Sequence, residues 1–196
     1  MGRLFSYVLR FDTGLAPNPF GGYCTLALCK PKIRLTAEKG DWVVGTGSSR
    51  KGLQDRLVYA MLVTEKLTFN QYYTDKRFAT KIPTVHNKIG DNIYFRGKQQ
   101  LSFIHGSKEI ARDTSGEFVL VSEPGNFYYY GINAKPIREK FPWIFKTGLG
   151  YKCKFTDLQI ADFVKWIRKQ EPGCHGQPID VYSKANDFKQ KTPRRI

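Results

Sequence analysis

Leu57-Val58-Tyr59-Ala60-Met61-Leu62-Val63-Thr64 is the stretch on which the fold turns. It is apolar nearly throughout, as expected of a strand covered on both faces, and so reads as central in its sheet. Upstream, Asp41 leads into Trp42-Val43-Val44-Gly45, a short strand, and Thr46–Gly52 follows as a flexible loop with two cations and three hydroxyls. Before these, Pro31–Lys39 suits a short helix with proline in its first turn and Gly40 as its C-cap. Downstream, Thr68-Phe69-Asn70-Gln71 places Thr at an N-cap and Gln three later, the capping box of a helix running to about Phe78.

Further out, Phe5–Phe11 reads as a strand ending in Asp12–Gly22, where two prolines and three glycines exclude regular structure. Asn18 lies between Pro17 and Pro19, which restrict its backbone and make a rigid loop with a polar tip, an element suited to binding. Shorter strands are expected at Asn92–Arg96, Phe118–Val121 and Phe127–Tyr130, and a short helix at Pro136–Lys140. Thr156 and Gln159 form a capping box for a helix over Asp157–Gln170, with Ile160, Phe163, Val164 and Ile167 in one apolar stripe. Lys165, Arg168 and Lys169 fall off that stripe and read as solvated, and Glu171-Pro172-Gly173 ends the helix. Strand runs broken by irregularly placed helices predict an α+β fold.

The 196 residues suit one domain over residues 1–182, followed by a basic, flexible tail over 183–196. Lys and Arg total 32 against 17 acids, a net charge of +15 that concentrates polyanions at the surface. A merely solubilising surface is the plainer reading, but Asp and Glu serve solubility better. No apolar run reaches the ~20 residues of a bilayer span, and the N-terminus has no apolar signal core, so a cytoplasmic location and no membrane partner are expected. Cys24, Cys29, Cys153 and Cys174 contain no C-x-x-C spacing. Cys24 and Cys29 are expected to serve as small buried hydrophobes, with a metal site made from them and His86, His105 or His175 as the lesser alternative; no metal and no cofactor are predicted.

The phosphate-loop, nucleophile-elbow, zincin and zinc-deaminase motifs are all missing from the sequence. Three constellations remain. Lys30, Lys32 and Arg34, with Ser48, Ser49, Arg50 and Lys51, are candidate phosphate ligands, helped by a backbone anion nest at 47–49; the alternative is a solvated helix face and a polar turn. Tyr23, Trp42 and Tyr94 are candidate base-stacking rings among aromatics that otherwise fill core, Trp42 foremost because it opens a strand after a turn. Asn18, Asp91 and Asn92 can read base edges or serve turn chemistry. Asp12, Asp91 and His105 are the weak catalytic candidates, His105 being better suited to a hydrogen-bonded core or turn position.

The segment Tyr7–Phe20, with Tyr23–Ala27 and Cys29–Arg34, resembles the second of the nucleotide modification associated domain families. Gly40–Ser48, Leu57–Met61 and Gly90–Tyr94 extend the likeness over about two-thirds of the chain. That resemblance implies a role beside DNA base modification in bacteria or phages. More loosely, a short helix followed by Gly-Asp-Trp-Val-Val is similar to the pseudouridine-synthase-and-archaeosine-transglycosylase-like (PUA-like) barrels. It implies a mostly antiparallel, partly closed, barrel-like sheet with peripheral helices. The expected function is recognition of a modified base in nucleic acid, DNA foremost, or of a modified nucleotide. An enzyme acting on nucleotides and a basic protein-interaction module are the alternatives.

Overall fold

The computed structural model describes residues 2–84, 89–100 and 106–180; His86, His105 and the basic stretch 183–196 lie outside the described residues. In chain order the elements are β1 (Leu4–Leu9), β2 (Cys24–Leu26), α1 (Pro31–Thr36), β3 (Trp42–Gly47), β4 (Arg56–Leu62), β5 (Glu65–Thr68) and α2 (Phe69–Thr74). There follow β6 (Tyr94–Phe95), β7 (Lys98–Gln99), α3 (Ser107–Thr114), β8 (Phe118–Ser122), β9 (Phe127–Tyr129), β10 (Lys135–Pro136), β11 (Tyr151–Lys152), α4 (Asp157–Ile167) and β12 (Gly173–Cys174). The fold is mixed α+β.

The large sheet runs β11-β1-β3-β4-β9-β12, with β10 on β4. β4 pairs antiparallel with β3, β9 and β10, so the apolar run does form an interior strand. The β1–β3 and β9–β12 pairs are parallel and the other pairings antiparallel. A parallel pair needs a long crossover, and here β2 and α1 supply it. β2 does not join the large sheet but pairs with β8, which pairs in turn with β5. The described pairings therefore give an open large sheet, a separate three-stranded sheet and a β6–β7 hairpin, with no closure into a barrel.

Alternation within the strands covers both faces of the large sheet. Trp42, Val44 and Tyr128 turn to one face, where α4 lays Ile160, Phe163 and Ile167 against them. Phe5, Tyr7 and Val43 turn to the other, against Cys24, Leu26 and Leu120 of the small sheet. Val119 and Val121 point from the small sheet's far side into Tyr72 and Phe78. The order of layers is thus α4, large sheet, small sheet, α2.

Both capping boxes are formed: Gln71 and Gln159 donate backbone N–H groups to Thr68 and Thr156 Oγ1, each at 3.2 Å, and their side chains accept from the cap N–H in return. α2 stops at Thr74 and the chain continues to Lys81 as a 3-10 helix capped by Asp75. The helix expected at Pro136–Lys140 is not formed. Lys135–Pro136 is held as β10, Ile137 N–H donates to Asp55 O at 3.0 Å, and Arg138 is tied to Asp55, which leaves only a turn. Residues 46–52 fold as the end of β3 and one 3-10 turn over Ser49–Lys51. None of the described helices is long and apolar enough to cross a membrane.

Gly45 lies opposite Tyr59 in the β3–β4 register, and a Cβ on it would stand 2.3 Å from the Tyr59 ring. Gly45→Ala is therefore expected to lower unfolding free energy by about 1–3 kcal/mol in urea denaturation; an unchanged midpoint would mean that the ring does not pack over this glycine.

Candidate anion-binding site

β1 and β3 run side by side to their last rung, Leu9 opposite Gly47. The residues that follow, Arg10 and Ser48, emerge together at the carboxyl ends of the two strands. β11 pairs antiparallel with β1, Tyr151 facing Tyr7, which brings the preceding loop 146–150 to the same end. Lys30, heading α1, and Arg138, after β10, complete the walls of a cavity of about 470 Å³. A Cβ on Gly47 would fall 2.2 Å from Leu53 O, so only glycine permits the tight return of the chain along this wall.

Five cations line the cavity, Arg10, Lys30, Arg50, Arg138 and Lys146, and no acid does. Arg138 is partnered by Asp55, and Lys146 donates to Thr147 O at 2.9 Å. Arg10, Lys30 and Arg50 have no acidic partner among the described residues. Like charges gathered without counter-ions repel one another, and a bound anion relieves that cost.

Lys30 is delivered by a strained turn. Cys29 and Lys30 have φ of 56° and 43°, a left-handed conformation costing roughly 1–2 kcal/mol per non-glycine residue. A buried scaffold holds it: Cys29 N–H donates to Asp113 Oδ1 at 2.7 Å, and Arg34 Nε donates to Cys29 O at 2.8 Å. The Arg34 guanidinium also donates to Phe118 O at 2.6 Å and to Asp113 O. It is fully buried, and burial pushes its pKa down to about 10 against the opposing pull of Asp113. Gly116 leaves room for the guanidinium, since a Cβ there would approach it to 2.4 Å.

The turn puts the Lys30 ammonium 4.2 Å from the centroid of the Tyr7 ring. Burial lowers the Lys30 pKa; Cys29 opposes the shift, while Arg10 and Arg112 add to it. Beneath, Tyr7 and Tyr59 share a buried hydroxyl–hydroxyl hydrogen bond of 2.9 Å. Burial raises both phenols, so the pair beneath the Lys30 ammonium stays uncharged.

Of the residues singled out in the sequence, Lys30, Ser48, Ser49 and Arg50 come together in this cavity. Ser48 Oγ accepts the Arg50 N–H at 3.3 Å and so caps the turn that carries Arg50. Lys32 is solvent-exposed on α1, Arg34 is the buried scaffold, and Lys51 pairs with Asp180 at 2.6 Å. Trp42 is 4% exposed, stacked on Tyr128 and met edge-on by Phe163, so its ring is taken up by the core and not offered to a base.

The remaining candidates join interior networks. Asn18 donates to Ile89 O at 2.6 Å and accepts from Lys81 Nζ at 2.7 Å. It lines a separate cavity of about 310 Å³. Asp91 accepts from Thr25 Oγ1 and from the Tyr72 hydroxyl, both at 2.7 Å, while Asn92 Nδ2 donates to Tyr72 O at 3.0 Å. Tyr94 donates to Asp113 Oδ2 at 3.3 Å, and Tyr23 packs edge-on to Phe78. Asp12 accepts the Tyr129 hydroxyl at 2.7 Å and the Ile179 N–H at 3.2 Å, burial pushing its carboxyl up. Asp12 and Asp91 thus spend their oxygens on internal donors, away from the cationic cavity.

Arg10, Arg138, Lys146 and the glycine-flanked Leu149 are functional candidates that the sequence reading passed over. Arg10 is distant in the chain from Arg138 and from Lys146–Leu149, and the β1–β3, β1–β11 and β4–β10 pairings bring them together. The one local signal was Lys146-Thr147-Gly148-Leu149-Gly150, a cation followed by two glycines around an apolar residue.

A family model described as nucleotide modification associated domain 2 matches residues 1–185. No curated protein and no solved structure matches the chain.

Arg34→Met should leave the Cys29, Phe118 and Asp113 carbonyls without their buried donor and release the Cys29–Lys30 turn, lowering unfolding free energy by about 3 kcal/mol. Arg112→Ala, which removes a half-exposed partner of the Asp113 carboxylate, should cost under about 1 kcal/mol. Equal losses in the two variants, read from urea midpoints, would contradict the scaffold role of Arg34.

Proposed function

The chain belongs to the nucleotide modification associated domain 2 family, and we propose that it serves there as a binding protein that grips a nucleotide by its phosphate. The observation that carries this reading is the cavity lined by five cations and no acid at the carboxyl ends of two parallel strands. Ligands of open sheets favour that end of the strands. Phosphate suits the donors present: guanidinium forks from Arg10 and Arg50 and a point charge from Lys30. Val8 and Leu149, the latter 80% exposed at the rim, provide apolar contact for the base. A modified base is the ligand that fits the family, read as part of a nucleic acid or as a nucleotide.

Binding is favoured over catalysis because Asp12 and Asp91 are engaged elsewhere and the cavity lining has no carboxylate to act as base. The excess of cations also favours a polyanion or nucleotide over a neutral partner.

Arg10→Ala and Lys30→Ala are each expected to weaken binding of a nucleoside 5′-monophosphate about tenfold or more, since a hydrogen bond to a charged group contributes ~1.5–3 kcal/mol. Lys32→Ala, outside the cavity, should leave the affinity unchanged; titration calorimetry reads all three, and equal losses would reduce the effect to net charge.

The bound anion favours the charged Lys30 ammonium. Affinity should therefore be full below the lowered pKa of Lys30 and fall as pH rises through it, starting below the ordinary lysine range near ~10.4. Lys30→Arg, whose charge persists, should flatten that alkaline limb. A limb that survives in Lys30→Arg would assign it to another group.

A further inference from the structure

The cationic cavity is not isolated. Arg138 is also a wall of a second depression, which contains Arg56 and Lys140. Lys140 in turn borders a third, between Phe141 and the last turns of α4, where Lys165 and Trp166 stand with Lys169 just beyond the helix end. The three depressions are successive neighbours, each separated from the next by one cationic side chain. Together they hold nine cations (five in the first, Arg56 and Lys140 in the second, Lys165 and Lys169 in the third) against three acids, Asp55, Glu139 and Asp162. Of these acids, Asp55 is already paired with Arg138.

The far end of the series has a feature that charge alone does not require. Trp166 is half-buried between Lys165 and Lys169, its ring edge-on to Phe141 at 5.3 Å. Lys165 stands in the last turn of α4 and Lys169 in the turn that follows the helix, where Lys169 N–H donates to Trp166 O at 3.1 Å. An indole left at the surface between two lysines combines a stacking face with phosphate partners, the pairing by which grooves hold unpaired nucleotides. A duplex hides its base faces and gains nothing from such a ring.

We propose that the ligand gripped in the cavity is one nucleotide of a single-stranded polynucleotide, whose chain continues past Arg138 and Lys140 to α4. This rests on the reading of the cavity as a nucleotide-phosphate site and names its substrate class: nucleic acid in single-stranded form, not the free nucleotide. It gives a function to the basic C-terminal end of α4, which amphipathicity alone leaves as a solvated surface.

The test compares thymidine 5′-monophosphate, a thymidine dinucleotide and a single-stranded oligothymidylate of about twelve nucleotides, within the site sizes of single-strand grooves. Each is titrated into the full chain and into the Lys165→Glu/Lys169→Glu double variant across a salt series. The native chain should bind the long strand at least tenfold more tightly than the dinucleotide. The double variant should lose that gain, with a salt slope shallower by about 1.4, two contacts at ~0.7 each, while its affinity for the monophosphate is unchanged.

Affinity independent of strand length, or a double variant that keeps the long-strand affinity, overturns the proposal. So does a duplex of the same length that binds as tightly as the single strand. The cavity reading fails separately, if monophosphate binding is absent or is unaffected by Lys30→Ala.

Discussion

The parallel pairing of β1 with β3 is the constraint on which the rest of the molecule depends. It forces a crossover between residues 9 and 42, and that crossover supplies both β2, which begins the second sheet, and α1, which carries Lys30. It sets Tyr7 beside Gly45, whose missing side chain admits the Tyr59 ring from the next strand and lets the two phenols meet. It also ends two strands at one rung, so that Arg10 and Ser48 leave the sheet as neighbours. An antiparallel arrangement of the same strands would have sent Arg10 and Ser48 to opposite ends of the sheet.

The chain divides its polar residues into two populations with different tasks. Arg34, Lys81, Asp91 and Asp113 are buried, and their donors and acceptors are taken up by backbone groups, hydroxyls and the side chains of Asn18 and Arg112 around them. A buried charge without such partners costs several kcal/mol, so these residues fix loop conformations. The second population, Arg10, Lys30 and Arg50, stands at the mouth of a cavity without acids. Lys30 links the two, since the buried Arg34–Asp113 scaffold sets the left-handed turn from which it projects. Residue type alone does not separate the groups: Arg34 and Lys30 are four apart on one short segment and have opposite roles.

That division also marks what was legible in the sequence. Leu57–Thr64 announced a central strand because unbroken apolarity has few other uses, and Thr68/Gln71 and Thr156/Gln159 announced helix starts because each box satisfies its own backbone donors locally. α3 was not legible: Ser107–Thr114 offers only Ile110 and Ala111 as apolar residues, too few for a periodic stripe. The proposed helix at Pro136–Lys140 failed because Asp55, some eighty residues away, captures Ile137 and Arg138. At the candidate site the basic character was readable, and so were Lys30, Ser48, Ser49 and Arg50. Arg10, Arg138 and Lys146 were not, because strand register decides their convergence, and register depends on partners across the whole chain. Trp42 opens its strand as foreseen, yet α4 arrives to cover it, which no local pattern around Trp42 reveals.

The central claim is that the cavity between the ends of β1 and β3 takes a nucleotide by its phosphate. Backbone amide NMR with a nucleoside 5′-monophosphate, set against the same nucleoside without phosphate, tests it most directly. The account predicts saturable shifts at Arg10, Lys30, Ser48–Arg50 and Gly148–Gly150 with the monophosphate, and little or no change there with the nucleoside. Shifts gathered instead around Asn18, Lys81 and Gly90, or equal shifts with and without the phosphate, would contradict it.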